Sequence, residues 1–267
     1  MKNNLARLIK QSIDEKSVST EQAFLMDLQR TVTKMNEKVG NPSTFYKPSS
    51  MNCIRSMYFQ RMDTDVDTQV ITVSGIGIGE SGTDRHIRIQ KYVANMKQFD
   101  IDCEYIDVET YIQENNLNYL QVLSVRGMET KVLHTVLNMV FLCDGIIKYN
   151  GKYYILEIKT ETSDKWQIRQ NVDDKHIVQA IAYSTAFQIN QVLFIYEDRN
   201  YCNWKTFMLT VTDDMKKVYL LERIRLCDKY VTAQKVPPIP VTANKKTCQY
   251  CLYKQTCKRI GDTEEIM

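Results

Sequence analysis

Apolar residues recur every three or four positions in several stretches of the chain, the spacing that places them on one face of a helix. The pattern predicts helices over 1–40, 51–62, 83–97, 175–187 and 213–230. The glycine-rich stretch 74–82 predicts a turn, because glycine weakens helices and no Gly-Lys-Ser/Thr follows to complete a phosphate-binding loop.

Strands are predicted where apolar residues alternate with polar ones or form short continuous runs. Such runs lie at 103–108, 120–125, 191–196 and 205–211, and the rest of 101–132 is ambiguous. The strongest signal is 139–160, where two apolar runs flank Asn150-Gly151, the dipeptide typical of a two-residue hairpin turn. Helices interleaved with strands in this order indicate an α/β fold, with a central mixed sheet that carries the hairpin and is flanked by helices.

The composition is that of an ordinary globular chain of 267 residues, 43% apolar and 25% charged, which excludes wholesale disorder and allows one large domain or two small ones. No stretch approaches the roughly 18 consecutive apolar residues of a membrane span, and the first residues lack the apolar run of a secretory signal. We therefore expect no membrane partner and a cytoplasmic location, in a bacterium or a virus-infected host cell. With a net charge of only +3, a nucleic-acid site would have to be a local basic patch.

The hairpin predicts which side chains face each other. If residues 150–151 form the turn, Asp144 lies directly across from Glu157, with the two Cβ atoms about 4.5–5.5 Å apart. Lys159, two residues beyond Glu157, projects to the same face of the sheet and can offset the repulsion between the carboxylates. The predicted constellation is Asp144, twelve residues, then Glu157-Ile158-Lys159.

Two facing carboxylates suit a hard divalent cation such as Mg²⁺ or Mn²⁺, which takes oxygen ligands. The ammonium of Lys159 can orient or activate a water molecule, or neutralise charge that develops on a phosphate. Two alternatives stay open from the residues alone. The three side chains could be a solvated charge cluster on an exposed strand, and a β-bulge would change the register.

Three further polar residues stand where they could join this constellation. His86 lies in the first turns of the predicted helix 83–97 and could supply a further ligand, although a single histidine is more often structural. Gln179 and Tyr183 are four residues apart and share one helix face. They could contact a phosphate backbone or hold Lys159, or they could simply be partly buried.

The order His86, Asp144, Glu157-Ile158-Lys159 and Gln179-Ala-Ile-Ala-Tyr183 resembles the motif order of the PD-(D/E)XK nuclease superfamily, in its RecB-like branch. The resemblance implies a restriction-endonuclease-like core. For the metal ions it implies four ligands, namely His86, Asp144, Glu157 and the backbone carbonyl of Ile158. Lys159 would position or activate the attacking water, and Gln179 and Tyr183 would orient the lysine and the DNA strand.

The chain contains eight cysteines, of which four are scattered among apolar residues and are most simply small core residues. These four are Cys103, Cys143, Cys202 and Cys227. Of the others, Cys248, Cys251 and Cys257 form a C-terminal C-x2-C-x5-C cluster, and Cys53 precedes the hairpin. Three thiolates are one short of the set that zinc or an iron–sulfur cluster takes, so Cys53 is the best candidate for the fourth ligand.

One cysteine upstream of the histidine and three downstream of the Gln-x-x-x-Tyr helix are similar to the layout of the iron–sulfur subgroup of RecB-like nucleases. Within it, the stand-alone CRISPR-associated exonuclease type is most similar. This implies a structural [4Fe-4S] cluster that joins the N- and C-terminal segments. From the residues alone, zinc could occupy the same four thiolates, and the C-terminal three could form a separate zinc knuckle with another ligand.

The expected protein is a divalent-metal-dependent DNA nuclease, an exonuclease acting on single strands or duplex ends. Its domains would be an N-terminal helical segment, 1–45, and a nuclease domain, 46–267, that includes the cluster. The alternative is a non-cleaving DNA-binding accessory protein in recombination, replication or CRISPR adaptation, against which the intact Asp-Glu-Lys set argues. A redox sensor built on the cluster is a third hypothesis. Protein partners in those processes and oligomer formation are further expectations.

Overall fold

The computed structural model describes residues 19–36, 44–67, 72–240, 248–249 and 251–264, and the elements below belong to this part of the chain. The strands are β1 (Cys103–Ile106), β2 (Leu120–Arg126), β3 (Glu129–His134), β4 (Met139–Cys143), β5 (Gly145–Tyr149), β6 (Lys152–Glu161), β7 (Gln191–Asp198) and β8 (Trp204–Thr210). The helices are α1 (Thr20–Met35), α2 (Ile54–Arg61), α3 (Val73–Asn95), α4 (Val108–Glu114), α5 (Ser163–Ile168), α6 (Asp174–Phe187), α7 (Asp213–Lys216), α8 (Glu222–Thr232) and α9 (Lys254–Ile260). A π-helical turn, Lys217–Leu221, joins α7 to α8, and short 3-10 segments occur at Pro48–Ser50 and Met96–Phe99.

The central sheet has five strands in the order β1-β5-β6-β7-β8. It is mixed, because β6 and β7 run parallel whereas the other neighbours run antiparallel. The two helices α5 and α6 lie between β6 and β7 in the chain and provide the crossover that a parallel pair needs. The predicted α/β fold with a central mixed sheet is confirmed.

Helices cover both faces of this sheet. Along β6, Leu156 and Ile158 pack in a cluster with Ile89 of α3. Ile155 belongs instead to the larger core, which includes the buried residues of α6. Because side chains alternate along a strand, Glu157 shares the α6 face with Ile155. The carboxylate predicted to be functional therefore lies under α6 rather than on a solvated strand.

The predicted hairpin is confirmed. β5 and β6 pair antiparallel with Tyr149 opposite Lys152, which makes Asn150-Gly151 the two turn residues. Their φ angles are +48° and +75°, the left-handed values of a type I′ turn. The pairing continues without a bulge as far as Gly145, so the expected register holds over this stretch.

The apolar run before the hairpin is not one strand, contrary to the prediction. β4 ends at Cys143 and β5 begins at Gly145, and β4 belongs to a separate three-stranded sheet of order β2-β3-β4. Strand β3, in the segment that the sequence left ambiguous, completes this second sheet. Asp144 is the single residue between β4 and β5, and it therefore lies at the junction of the two sheets.

The predicted turn at 74–82 is wrong, since α3 runs without interruption from Val73 to Asn95. Glycine lowers helix stability by about 1 kcal/mol per residue relative to alanine, but it does not forbid a helix. Extending a helix costs much less than starting one, so the favourable pattern from Thr83 onward can carry the glycines. A further helix that the sequence did not predict, α4, begins after the N-cap Asp107.

The described residues divide into two compact units. One contains α1 and the beginning of α3 up to Gly79, and the other contains the remainder. Within the predicted helical stretch 1–40, α1 is helical, while 1–18 and 37–40 lie outside the described residues. The division at residue 45 stays a prediction. No helix in the described part of the chain is long and apolar enough to cross a membrane.

We expect Gly145→Ala to destabilise the protein by roughly 1–3 kcal/mol, as overpacking does. A Cβ atom on Gly145 would lie 2.6 Å from the ring and hydroxyl of Tyr105, whose hydroxyl lies 2.7 Å from the Asp144 carbonyl oxygen. Gly82→Ala is the matched control, since nothing lies within 4 Å of its Cβ position in α3, and it should stabilise by about 0.5–1 kcal/mol. Chemical denaturation measures both changes, and a Gly145→Ala protein as stable as wild type contradicts the close packing at the junction.

Candidate active site

Asp144 is held at the sheet junction through both its main chain and its side chain. Its carbonyl oxygen accepts a hydrogen bond from Gln90 Nε2 at 2.6 Å and lies 2.7 Å from the Tyr105 hydroxyl. The carboxylate Oδ2 accepts from the backbone N–H of Ile158 at 2.7 Å, and Oδ1 lies 3.2 Å from His86 Nδ1. The side chain is thereby directed across the hairpin toward β6, although Asp144 lies one residue beyond the last ladder pair.

A carboxylate that the sequence did not single out joins this site. Glu129, the first residue of β3, places Oε1 3.5 Å from His86 Nδ1. One ligand atom each of His86, Glu129 and Asp144 lie within 4.8 Å of one another, and no other such group occurs in the described part of the chain. An acidic residue in an ambiguous segment gives no signal by itself, because only the pairing of β3 with β4 brings Glu129 to the junction.

The other predicted side chains form a chain of contacts between β6 and α6. The Lys159 ammonium contacts the Glu157 carboxylate and donates to Gln179 Oε1 at 3.2 Å. Gln179 Nε2 then lies 2.6 Å from the Tyr183 hydroxyl, which donates to the carbonyl oxygen of Leu142 at 2.7 Å. Gln179 and Tyr183 thus connect Lys159 to the end of β4, next to the junction.

Burial and mutual charge shift the pKa values of this site. Burial raises the pKa of Glu157 to about 7, against the opposing charge of Lys159. Burial would lower the pKa of Lys159, but the charges of Glu157 and Asp144 outweigh it and raise the pKa. Likewise, hydrogen bonds to Asp144 and Glu129 overcome the effect of burial on His86 and raise its pKa to about 10. Without a metal, the site therefore holds positive charge on Lys159 and His86 against its carboxylates.

One carboxylate oxygen of the site is left without a partner among the described residues and could bind a cation. Glu157 is buried, and its Oε2 has no hydrogen-bond partner in the described part of the chain. Asp144, Glu129 and Glu157 offer the carboxylate oxygens that a hard divalent cation takes, and His86 adds one imidazole nitrogen. The N–H of Ile158 donates its hydrogen bond to the Asp144 carboxylate. The role of the Ile158 carbonyl as a metal ligand stays a prediction.

The structure brings together the two chain segments that carry the predicted cluster ligands. Cys53 is the N-cap residue of α2, and Cys257 lies in α9. The Asp67 carboxylate accepts from the backbone N–H of Thr256 at 3.1 Å, and Arg55 Nη2 donates to the Gly261 carbonyl at 2.6 Å.

The four thiols lie near one another without forming a compact site. Burial is the main cause of the raised pKa of the Cys251 thiol, and the neighbouring Cys53 and Cys248 raise it further. Burial is also the main cause of the raised pKa of Cys257, and Cys53, Cys251 and Cys248 add to it. No three of the four sulfurs lie within 4.8 Å of one another. What the structure shows is therefore the proximity of four free thiols.

The scattered cysteines mostly follow the prediction. Cys103, Cys143 and Cys227 are buried, as expected of small core residues. Cys202 is exposed, and its sulfur lies 3.6 Å from Arg85 Nη1. It stands in the turn between β7 and β8, where its backbone takes the left-handed φ of +57°.

We expect Mn²⁺ binding at pH 8 to release about one proton, because an imidazole must be neutral to ligate a metal. With its pKa raised to about 10, His86 is protonated at that pH in the metal-free protein. The apparent affinity for Mn²⁺ should fall as the pH is lowered, since protons compete for His86 and for Glu157. Calorimetric titration in buffers of different ionisation enthalpy measures the release, and His86→Ala should remove it. Binding without proton release in the wild type excludes His86 as a ligand.

No family model matches the chain, and no curated protein matches it. Solved structures similar to it include SSO0001, 13% identical, with 90% of this chain and 98% of that chain covered at a TM-score of 0.46. An alkaline exonuclease from Laribacter hongkongensis, LHK-Exo, is 12% identical, with 72% and 90% covered at a TM-score of 0.42. LHK-Exo in complex with dAMP is 13% identical, with 72% and 89% covered at a TM-score of 0.43. With TM-scores below 0.5, the family of this chain stays a prediction from its motif order.

Proposed function

We propose that the chain is a divalent-metal-dependent DNA nuclease that hydrolyses phosphodiester bonds. The observation that carries the proposal is the unpartnered, buried oxygen of Glu157, held beside Lys159. Leaving such an atom unpaired costs ~1–3 kcal/mol or more, so the arrangement favours a cation at this position. Replacing buried charges by apolar residues is often neutral or stabilising, so folding alone does not require this carboxylate.

The residues that would hold Mg²⁺ or Mn²⁺ are Asp144 and Glu157, with His86, Glu129 and the carbonyl of Ile158. When bound, such an ion polarises the scissile phosphate and lowers the pKa of a water molecule. Asp144 is already oriented for this role, because its carboxylate is fixed by the Ile158 N–H. Preorganised ligands of this kind avoid the cost of ordering the site during the reaction.

Lys159 supplies the positive charge that the reaction needs outside the metal ligands. Its pKa is raised, so the side chain is an ammonium near neutral pH. An ammonium donates hydrogen bonds but ligates no hard cation, so its role would be to orient the attacking water and to neutralise charge on the phosphate. Gln179 accepts one of its hydrogen bonds and thereby limits the positions that the ammonium can take.

DNA as the substrate, and an exonuclease acting on single strands or duplex ends, are inferred from the order of the motifs. The non-cleaving accessory protein remains the second candidate. An intact set of buried Asp144, buried Glu157 and half-buried Lys159, with Lys159 in contact with Glu157, favours cleavage over binding alone. A protein that only binds DNA has no need of these buried charges.

We also propose a structural [4Fe-4S] cluster on Cys53, Cys248, Cys251 and Cys257. The Arg55 side chain supports an anionic thiolate centre here, because it is buried and its Nε and Nη1 have no hydrogen-bond partner in the described part of the chain. Its charge acts on Cys257 and partly offsets the rise in the pKa of that thiol. Thiolate sulfurs would provide acceptors for these donors.

We expect Lys159→Ala to reduce cleavage by about 10²–10⁴-fold while keeping Mn²⁺ affinity, because it removes a group that acts on the water and phosphate and is not a ligand. Asp144→Ala and Glu157→Ala should lose both cleavage and Mn²⁺ binding. Lys152→Ala, which removes an exposed lysine from the same strand, should cleave like the wild type. Cleavage of labelled DNA with Mg²⁺ or Mn²⁺, together with calorimetry, measures both properties. A wild type that binds DNA without cutting it favours the accessory protein.

Substituting serine for any one of the four proposed cluster cysteines should remove iron and visible colour together. A metal centre joining Cys53 to Cys248 closes a long loop, and by analogy with a disulfide it would stabilise the fold by about 4–5 kcal/mol. The same change at Cys103, Cys143, Cys202 or Cys227 should leave the iron content unaltered. Iron and sulfide analysis of all eight variants purified without oxygen decides the matter. A full iron complement in Cys53→Ser removes Cys53 from the cluster, and zinc in place of iron overturns the iron assignment.

A further inference from the structure

His176 lies beside the proposed active site but has no part in the chemistry assigned so far. It occupies the first turn of α6, three residues before Gln179 and therefore on the same helix face. Beneath them, Lys159 of β6 and Tyr196 of β7 are register partners in the parallel pair and project to the same face. Each is contacted by one of the two helix residues, since Lys159 donates to Gln179 and Tyr196 binds His176.

The hydrogen bonds of Tyr196 determine the tautomer of His176. The Tyr196 hydroxyl accepts a hydrogen bond from the backbone N–H of Asp173 at 3.1 Å and lies 2.8 Å from His176 Nδ1. A phenol has one proton to donate, and Nδ1 is the one acceptor that this hydroxyl meets in the described part of the chain, so that proton is assigned to Nδ1. Nδ1 is therefore the acceptor, and the proton of the neutral imidazole resides on Nε2.

The surroundings keep this imidazole neutral. Burial, followed by the charges of Lys159 and Lys175, lowers the pKa of His176 to about 3. Lys159 acts on this imidazole through its charge, since Lys159 and Tyr196, the hydrogen-bond partner of His176, are neighbours on adjacent strands. Nε2 has no hydrogen-bond partner in the described part of the chain, and the side chain is partly exposed. The Nε2–H of His176 is thus a hydrogen-bond donor without a partner in the described part of the chain, and it lies close enough to Lys159 to feel its charge.

The position suits an anion. His176 lies in the N-terminal turn of the fourteen-residue helix α6, where the helix dipole favours negative charge. Asp173 and Asp174 already stand at this end, and the charges of Lys159, Lys175 and Arg169 oppose theirs at the imidazole. This end of α6 lies over the carboxyl ends of the parallel strands β6 and β7, the edge at which open α/β sheets bind their ligands. A neutral donor can hold a phosphate oxygen here without adding a second full charge beside Lys159.

We propose that His176 binds a phosphate of the nucleic-acid strand through Nε2–H, next to the phosphate on which Lys159 acts. The inference rests on the proposed nuclease function and adds a strand-binding residue to it. Tyr196 is then a positioning residue, because it fixes the tautomer without contacting the strand.

The test separates the two nitrogens of the ring. In His176→Gln the amide nitrogen reaches approximately the place of Nε2, whereas in His176→Asn it reaches only that of Nδ1. In a Lys159→Ala background, anisotropy of a fluorescein-labelled single-stranded oligonucleotide with Mg²⁺ should show about 10- to 100-fold weaker binding for His176→Ala and His176→Asn, the range for a hydrogen bond to a charged group. His176→Gln should restore most of the affinity lost in the alanine variant.

Cleavage kinetics, measured on variants that keep Lys159, complete the experiment. His176→Ala should raise KM more than it lowers kcat, and thermal unfolding of each variant shows whether α6 is intact. Equal losses in the alanine and glutamine variants, or affinity unchanged in the alanine variant, overturn the proposal. A wild type that never cleaves refutes the nuclease function instead, and the anisotropy series still reports whether His176 binds the strand.

Discussion

The hydrogen bond from the Ile158 N–H to the Asp144 carboxylate fixes the junction of the two sheets. Asp144 is the one residue between β4 and β5, which belong to different sheets. The bond ties this junction to the middle of β6, while Gln90 and Tyr105 hold the Asp144 carbonyl from two other directions. Buried polar groups of this kind are stable only when they are paired, so the junction adopts one arrangement.

Once the junction is fixed, the charges around it constrain one another. The carboxylates of Asp144 and Glu157 raise the pKa of Lys159, and Lys159 in turn opposes the effect of burial on Glu157. His86 gains its raised pKa from Asp144 and Glu129 in the same way. Such a cluster contributes little net stability by itself, because burying the charges costs about as much as their attraction returns. Its presence in a buried position is better explained by the proposed chemistry than by folding.

A second set of contacts joins residues 253–261 to α2 and the segment after it. Asp67 caps the backbone at the start of α9, and Phe59 packs against Tyr253 with ring centroids 5.5 Å apart. These contacts bring the cysteine-bearing segments together without any metal. A cluster would therefore strengthen an association that protein contacts already establish.

The hairpin, its register and the helix that carries Gln179 and Tyr183 could be read from the sequence, because each depends on local rules of turn chemistry and periodicity. The prediction of a turn at 74–82 is wrong for the same reason, because a local rule on glycine does not include the stabilisation of these residues by extension of the adjoining helix. Glu129, the break at Asp144 and the tautomer of His176 required the tertiary structure. Each depends on residues distant in sequence, and only the packed sheets and α6 decide which of them meet.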